Sequence, residues 1–125
     1  MIFKIRTCEK TMKLFEEISA STNYAPFILS KLAISMSLKS RMPLNDDDFK
    51  TDSLGLELNR QTITGEYDAL YKSLIEMFEH RHISEDEYMQ KYLKAHIDRG
   101  AQLIHSEFRY SKDFLLGLLR EGISI

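Results

Sequence analysis

Pro26-Phe27-Ile28-Leu29-Ser30-Lys31-Leu32-Ala33-Ile34-Ser35-Met36-Ser37-Leu38 is the stretch on which the fold turns. Proline suits the first turn of a helix, because the N–H it lacks would be unpaired there anyway. Phe27, Ile28, Leu29, Leu32, Ala33, Ile34, Met36 and Leu38 then leave almost no polar face. Only Lys31 and the serines Ser30, Ser35 and Ser37 interrupt them. A helix apolar nearly all round is buried on several sides. In a chain of 125 residues, a second subunit is one source of a missing side. That reading makes Leu29, Leu32, Ile34 and Met36 the expected oligomer interface.

Upstream, Ile2 to Thr7 alternates, with Phe3 and Ile5 on one face and Lys4 and Arg6 on the other, the pattern of a short half-buried strand. A first helix follows from about Glu9 to Ser19, with Met12, Phe15 and Ile18 inward and Leu14 beside them. Ser21-Thr22-Asn23 ends it with turn chemistry. Strand, helix, tight turn and helix in this order make a ribbon-helix-helix module. There, the first strands of two chains pair into a ribbon that enters the major groove. Phe3 and Ile5 then pack on the helices, and Lys4 and Arg6 face DNA. The alternative is that these two bases guard an edge strand against aggregation. The second helix's N-terminus, near Asn23 to Phe27, offers N–H groups and a dipole to phosphate. Ser21-Thr22-Asn23-Tyr24 contains no lysine, which argues against a strong DNA contact at the turn itself.

Downstream, Met42 to Thr51 reads as a loop carrying Pro43 and Asp46-Asp47-Asp48. Gly55 to Gly65 reads as irregular or weakly extended. Its polar cluster, Glu57, Asn59, Arg60 and Gln61, is either a packed connector or a docking surface. Tyr67, Leu70, Tyr71, Leu74 and Phe78 predict a third helix from near Glu66, ended by His80-Arg81-His82. Ser84-Glu85-Asp86-Glu87 has capping-box spacing and opens a fourth helix with Met89, Leu93, Ile97 and Ile104 inward. Gly100 within it marks a close contact or a bend. A last helix is expected from about Lys112 to Arg120, with Phe114, Leu115, Leu118 and Leu119. The expected class is mainly α in one domain. Residues 1–41 form a short strand and a ribbon-helix-helix-like helix-turn-helix, and residues 42–125 form a helical half.

Charge is distributed unevenly. The net charge is −2, yet residues 1–41 carry +4 and the remainder −6. The basic part is the one suited to phosphate. Lys4, Arg6, Lys10, Lys13 and Lys31 are therefore the candidate DNA-binding residues. No apolar run reaches the roughly 18 residues of a membrane span. No secretory signal is visible at the start, and the single cysteine, Cys8, fits a reducing cytoplasm.

Other candidate chemistry in the sequence is weaker. Cys8 lies where strand meets helix, a position that can activate a thiol, but a buried small residue is the plainer reading. His80 and His82 are two apart and diverge on a helix. Glu76 and His80 share a face, while His96 and His105 complete no metal pattern. Asp46, Asp47, Asp48 and Asp52 are the residues a Mg²⁺-dependent nickase would use, yet consecutive acids usually form a solvated loop. Phosphate loops, nucleophile elbows and Cys-x-x-Cys pairs are missing from the sequence. No catalytic residue, metal or cofactor is assigned.

Three stretches carry a family resemblance: Ile5-Arg6-Thr7 with Leu29-Ser30-Lys31-Leu32-Ala33-Ile34-Ser35, Gly55-Leu56-Glu57-Leu58-Asn59-Arg60-Gln61-Thr62-Ile63-Thr64-Gly65-Glu66-Tyr67, and Lys94-Ala95-His96-Ile97-Asp98-Arg99-Gly100. Together they resemble the DndE family of DNA sulfur modification proteins over nearly the whole chain. The resemblance implies a compact helical fold, a homotetramer, and binding to nicked double-stranded DNA through surface lysines. It also implies work beside DndC and DndD proteins in DNA phosphorothioation, with sulfur drawn from a cysteine desulfurase, in a setting linked to restriction-modification. The competing functions are a ribbon-helix-helix repressor or antitoxin, and a subunit that nicks DNA itself.

Overall fold

The computed structural model describes residues 3–110. The molecule is mostly helical, with a two-stranded hairpin tied to its N-terminus. In chain order it runs β1 (Lys4–Arg6), α1 (Glu9–Thr22), α2 (Pro26–Lys39), α3 (Asp46–Phe49), β2 (Glu57–Asn59), α4 (Arg60–Ile63), a 3₁₀ turn (Gly65–Tyr67), α5 (Asp68–Glu79), α6 (Glu85–Glu87), a π-helical turn (Tyr88–Leu93) and α7 (Lys94–Tyr110). The expected last helix, Lys112 to Arg120, lies outside the described residues.

The core forms around α2. Leu29, Ala33 and Ile34 have no exposed surface, and Leu32 has 6%. The main covering element is α7, with α1 and α4 on other sides. Each fully buried Leu or Ile contributes roughly 1.5–3 kcal/mol, so a helix apolar on all sides is a strong organiser. The sides expected from a second subunit are thus filled by the chain itself. Leu29, Leu32 and Ile34 are core residues, and Met36 is partly buried against them. None of the four forms an exposed interface.

Gly100 explains how α7 approaches so closely. A Cβ there would lie 1.8 Å from the Ala33 carbonyl oxygen. Backbone meets backbone at this crossing, and only glycine permits it. Upstream, Ser84 caps the helical stretch by accepting from Glu87 N at 3.2 Å. The π-helical turn that follows buries Tyr88, Met89, Tyr92 and Leu93 together, and Ile97, Ala101 and Ile104 continue the inward stripe.

The N-terminal strand finds its partner within the chain. β1 pairs antiparallel with β2, in the register Lys4↔Asn59, Ile5↔Leu58 and Arg6↔Glu57. This corrects the intermolecular ribbon; within Gly55 to Gly65, expected to be irregular or weakly extended, Glu57 to Asn59 is the extended part. Ile5 and Leu58 face the core, while Lys4, Arg6, Glu57 and Asn59 face solvent. Gly55 is required beside the strand, since a Cβ would sit 2.1 Å from the Cys8 carbonyl oxygen.

Two further boundaries differ from expectation. The Met42 to Thr51 loop contains α3, because Asn45 and Asp48 form a reciprocal capping box. On α5, Tyr71 and Ile75 point inward and Phe78 is partly buried. Tyr67, Leu70 and Leu74 of the expected stripe instead stay exposed.

Candidate nucleic-acid interface

Four of the five expected DNA contacts lie along residues 4–13, on β1 and the start of α1. Lys4 and Arg6 project from the solvent face of the hairpin, as alternation predicts. Glu57 stands across from them, 3.6 Å from Lys4 Nζ and 3.7 Å from Arg6 Nη2. Arg6 Nη1 also donates to the Gly55 carbonyl at 3.0 Å, which holds the guanidinium on the hairpin. On α1, Lys10 Nζ reaches Gln102 Oε1 at 3.4 Å and Lys13 lies 3.4 Å from Glu9. Lys31 sits on α2 with its ammonium 5.8 Å from the Phe27 ring centre. The Lys4, Arg6 and Lys13 ion pairs are solvent-exposed, and such pairs are worth about 0–1 kcal/mol. A phosphate can displace the carboxylate at small cost.

The α2 N-terminus offers less to phosphate than its position suggests. Ile28 N–H and Leu29 N–H both donate to the Ala25 carbonyl, and Pro26 has no N–H. Glu16 also lines the surface cavity formed by Ser19, Asn23, Tyr24 and Pro26.

One buried polar hub holds the basic segment in place, and a second joins α4, α5 and α6. In the first, Asp98 Oδ1 accepts from Cys8 N at 3.1 Å and from Thr11 Oγ1 at 2.7 Å. Its Oδ2 accepts from Thr51 Oγ1 at 2.8 Å and from Lys94 Nζ at 2.7 Å. Thus α7 grips the β1–α1 junction and the loop before β2 through one carboxylate. Cys8 is buried in that junction, with Sγ accepting weakly from Thr11 N at 3.5 Å. Its place is that of a helix cap.

The second hub centres on Arg60, only 8% exposed. Its guanidinium pairs with Asp68 and lies 2.5 Å from Glu85. Thr64 Oγ1 and Tyr88 Oη also donate to Asp68 Oδ1, at 2.6 and 3.0 Å. Burial alone would raise the Asp68 carboxyl, but the Arg60, Thr64 and Tyr88 hydrogen bonds outweigh it and hold it below the usual range. The Tyr88 phenol is pushed up by burial and by the Asp68 charge. Arg60 belonged to the polar cluster seen in the sequence. Its partners at Asp68 and Glu85 are too distant in sequence for any local pattern to reveal.

His96 is fully buried on α7, with Nδ1 2.8 Å from Ser37 Oγ on α2. Arg99 Nε donates to the same Ser37 Oγ at 2.8 Å. Burial, then the Arg99 charge, lowers the His96 pKa to about 3. His82 Nδ1 lies 2.7 Å from Glu76 Oε2, and His105 Nε2 2.8 Å from Glu17 Oε2. His80 is the left-handed cap of α5, with φ 59°. Histidine, cysteine and acidic side chains form no group of three or more able to hold a metal among the described residues. Asp46, Asp47 and Asp48 make the first turn of α3, where acids favour the dipole. Asp52 accepts from Glu9 N and Leu54 N, both at 2.9 Å, and these bonds lower its pKa. No helix among the described residues is long and apolar enough to cross a membrane.

Comparison with known proteins agrees with this architecture. The chain resembles the crystal structure of DndE from Escherichia coli B7A, described as involved in DNA phosphorothioation modification. The TM-score is 0.68 at 19% identity, covering 83% of this chain and 97% of that one. It also resembles a lysine-substituted DndE variant, with TM-score 0.64 and 18% identity, covering 85% of this chain and 99% of the other. No curated protein matches the chain by sequence. The family described as DNA sulphur modification protein DndE matches residues 4–112. The hairpin, both buried hubs and the α2–α7 crossing all fall within that match, and the chain belongs to the DndE family.

Proposed function

We propose that this protein is a DNA-binding, non-catalytic subunit of a bacterial DNA phosphorothioation system, acting in the cytoplasm. In this reading it works as a homotetramer beside DndC- and DndD-like proteins, in a setting linked to restriction-modification, and prefers nicked duplex. The observation that carries it is the family match over residues 4–112. Support comes from Lys4, Arg6, Lys10 and Lys13, all exposed along one short basic segment. The ribbon-helix-helix repressor loses its main support, because β1 no longer needs a second chain to pair.

A nick lets the duplex bend or swivel more easily. Bending an intact site costs on the order of 1–6 kcal/mol, and a nick removes part of that. A multimer with several basic surfaces gains extra phosphate contacts only if the DNA bends toward it. The test is a competition titration at fixed salt with intact, nicked and gapped duplexes of one sequence. Tighter binding to the nicked form, with little dependence on flanking bases, is expected. Equal affinity for intact and nicked DNA would remove the preference. Mg²⁺-dependent relaxation of supercoiled plasmid, lost in Asp46→Ala or Asp52→Ala, would overturn the non-catalytic assignment.

A further inference from the structure

Lys4, Arg6 and Glu57 share the solvent face of the β1–β2 hairpin, with side chains 60%, 49% and 51% exposed. The register sets Glu57 directly opposite Arg6 and places Lys4 on the diagonal. Both positions are within reach of a long side chain across an antiparallel pair. Lys4 Nζ lies 3.6 Å from Glu57 Oε2, and Arg6 Nη2 lies 3.7 Å from Glu57 Oε1. Two cations thus converge on one carboxylate, each at its own oxygen. A backbone phosphodiester carries the same single charge and offers two non-bridging oxygens in a similar fork. The carboxylate marks where such a phosphate would sit.

The fold draws little from this contact, because exposed ion pairs stabilise a protein only weakly. Nor does the carboxylate aim the guanidinium. Arg6 Nη1 is already held by the Gly55 carbonyl at 3.0 Å. Gly55 N donates in turn to the Thr7 carbonyl at 2.9 Å, and Thr7 N to the Leu56 carbonyl at 2.8 Å. Backbone therefore positions Arg6, and what Glu57 adds at the site is negative charge. The neighbouring bases are placed differently. Lys10 meets the uncharged amide of Gln102, and Lys13 pairs with Glu9 one turn away on its own helix.

We propose that Lys4 and Arg6 form one phosphodiester site, and that Glu57 occupies it in the free protein as a built-in competitor. This rests on the DNA-binding reading above and names the residue that limits its strength. DNA must displace the carboxylate, which stays close by on β2 and offsets one of the two positive charges. The hairpin then counts as one phosphate contact rather than two. Removing the charge of Glu57 releases the second. An acid thus sets the strength of a basic surface, and its loss should increase binding.

Titration of a labelled nicked duplex from about 50 to 200 mM salt tests this on the full chain. Glu57→Gln keeps the shape of an exposed side chain and removes its charge, so circular dichroism should stay native. Binding should tighten several-fold at the low-salt end. The slope of log K against log salt should steepen by about 0.9, one phosphate's worth, so the gain shrinks about three- to fourfold across that range. Lys4→Ala leaves Arg6 and Glu57 as a neutral pair, and adding Glu57→Gln to it should return binding to near the native level. Asp86→Asn removes an exposed acid from α6 and serves as the control for net charge. If Lys4→Ala and Arg6→Ala weaken binding while Glu57→Gln does not tighten it, the competitor is overturned and the DNA-binding reading stands. Equal tightening in Asp86→Asn assigns the gain to net charge and also overturns it. If DNA binds but neither Lys4→Ala nor Arg6→Ala has an effect, the phosphate site itself is overturned. A protein with no measurable DNA binding overturns the reading above and the site with it.

Discussion

His96 shows most directly how one buried side chain sets the behaviour of the whole chain. The unfolded residue titrates near 6.5, and the folded one near 3. Between these values the unfolded chain holds a proton that the folded chain refuses. Folding is therefore weakened as pH falls through that window, and this loss is absent above 6.5. The expected slope is roughly 1 kcal/mol per pH unit. His96→Gln keeps a polar partner for Ser37 without a proton to gain. Urea unfolding at pH 7, 6 and 5 should show the native protein losing stability and the variant nearly flat. Asp68 is held below its ordinary 3.8, so the stability it contributes begins to be lost only as pH falls through that value, below the range measured, and it does not mask the difference. Parallel losses in both proteins would mean that His96 is not the group responsible.

Gly100 matters because of the element it belongs to. On an exposed helix face, Gly→Ala gains about 1 kcal/mol from helix propensity. Here the new methyl would meet the Ala33 carbonyl, carbon and Cα at 1.8 to 2.7 Å. All three are backbone atoms, so α2 and α7 would have to separate along their largest contact. Overpacking of this kind costs about 1–3 kcal/mol or more, and the sign of the effect is reversed. A lowered midpoint of thermal unfolding in Gly100→Ala is expected. A raised midpoint would show that the crossing is looser than the geometry described here.

Across the whole molecule, the exposed bases of residues 4–13 sit on a rigid base made by Asp98, Lys94 and the β1–β2 pairing. If DNA binds there, each phosphate neutralised adds about −0.9 to the slope of log K against log salt. Lys4→Ala, Arg6→Ala, Lys10→Ala and Lys13→Ala should each weaken binding and flatten that slope. Lys91→Ala should matter less, because Lys91 lies over the Phe49 and Tyr92 rings, 4.9 and 5.4 Å from their centres. Binding measured from low to moderate salt checks this. A dominant effect at Lys91 would put the DNA on the other part of the surface.

Local pattern in the sequence was enough for some features and blind to others. Pro26 as the first residue of α2, Ser84 as a cap, and the alternation that turns Lys4 and Arg6 outward all depend on neighbours a few residues away. Such signals are complete within one turn or one strand. The close contact at Gly100 was legible as a possibility, because a mid-helix glycine needs a packing reason. Its partner, Ala33, was not. The same limit hid β2 as the mate of β1, Asp68 and Glu85 as the partners of Arg60, and Ser37 as the partner of His96. Apolar periodicity shows that α2 is buried, but not by what. It also merges two stripes on α5 into one, because Leu70 and Tyr71 are neighbours in sequence yet face different surroundings. The sequence by itself determined that α1, α2, α5 and the Ser84-capped stretch leading into α7 are helical, and which face of the strand is charged. Only the tertiary structure decided that α7 rather than a second subunit buries α2, and that one seam of α5 remains in solvent. The physical reason is that hydrogen bonds and capping act within a few residues, whereas burial depends on what the rest of the chain brings alongside.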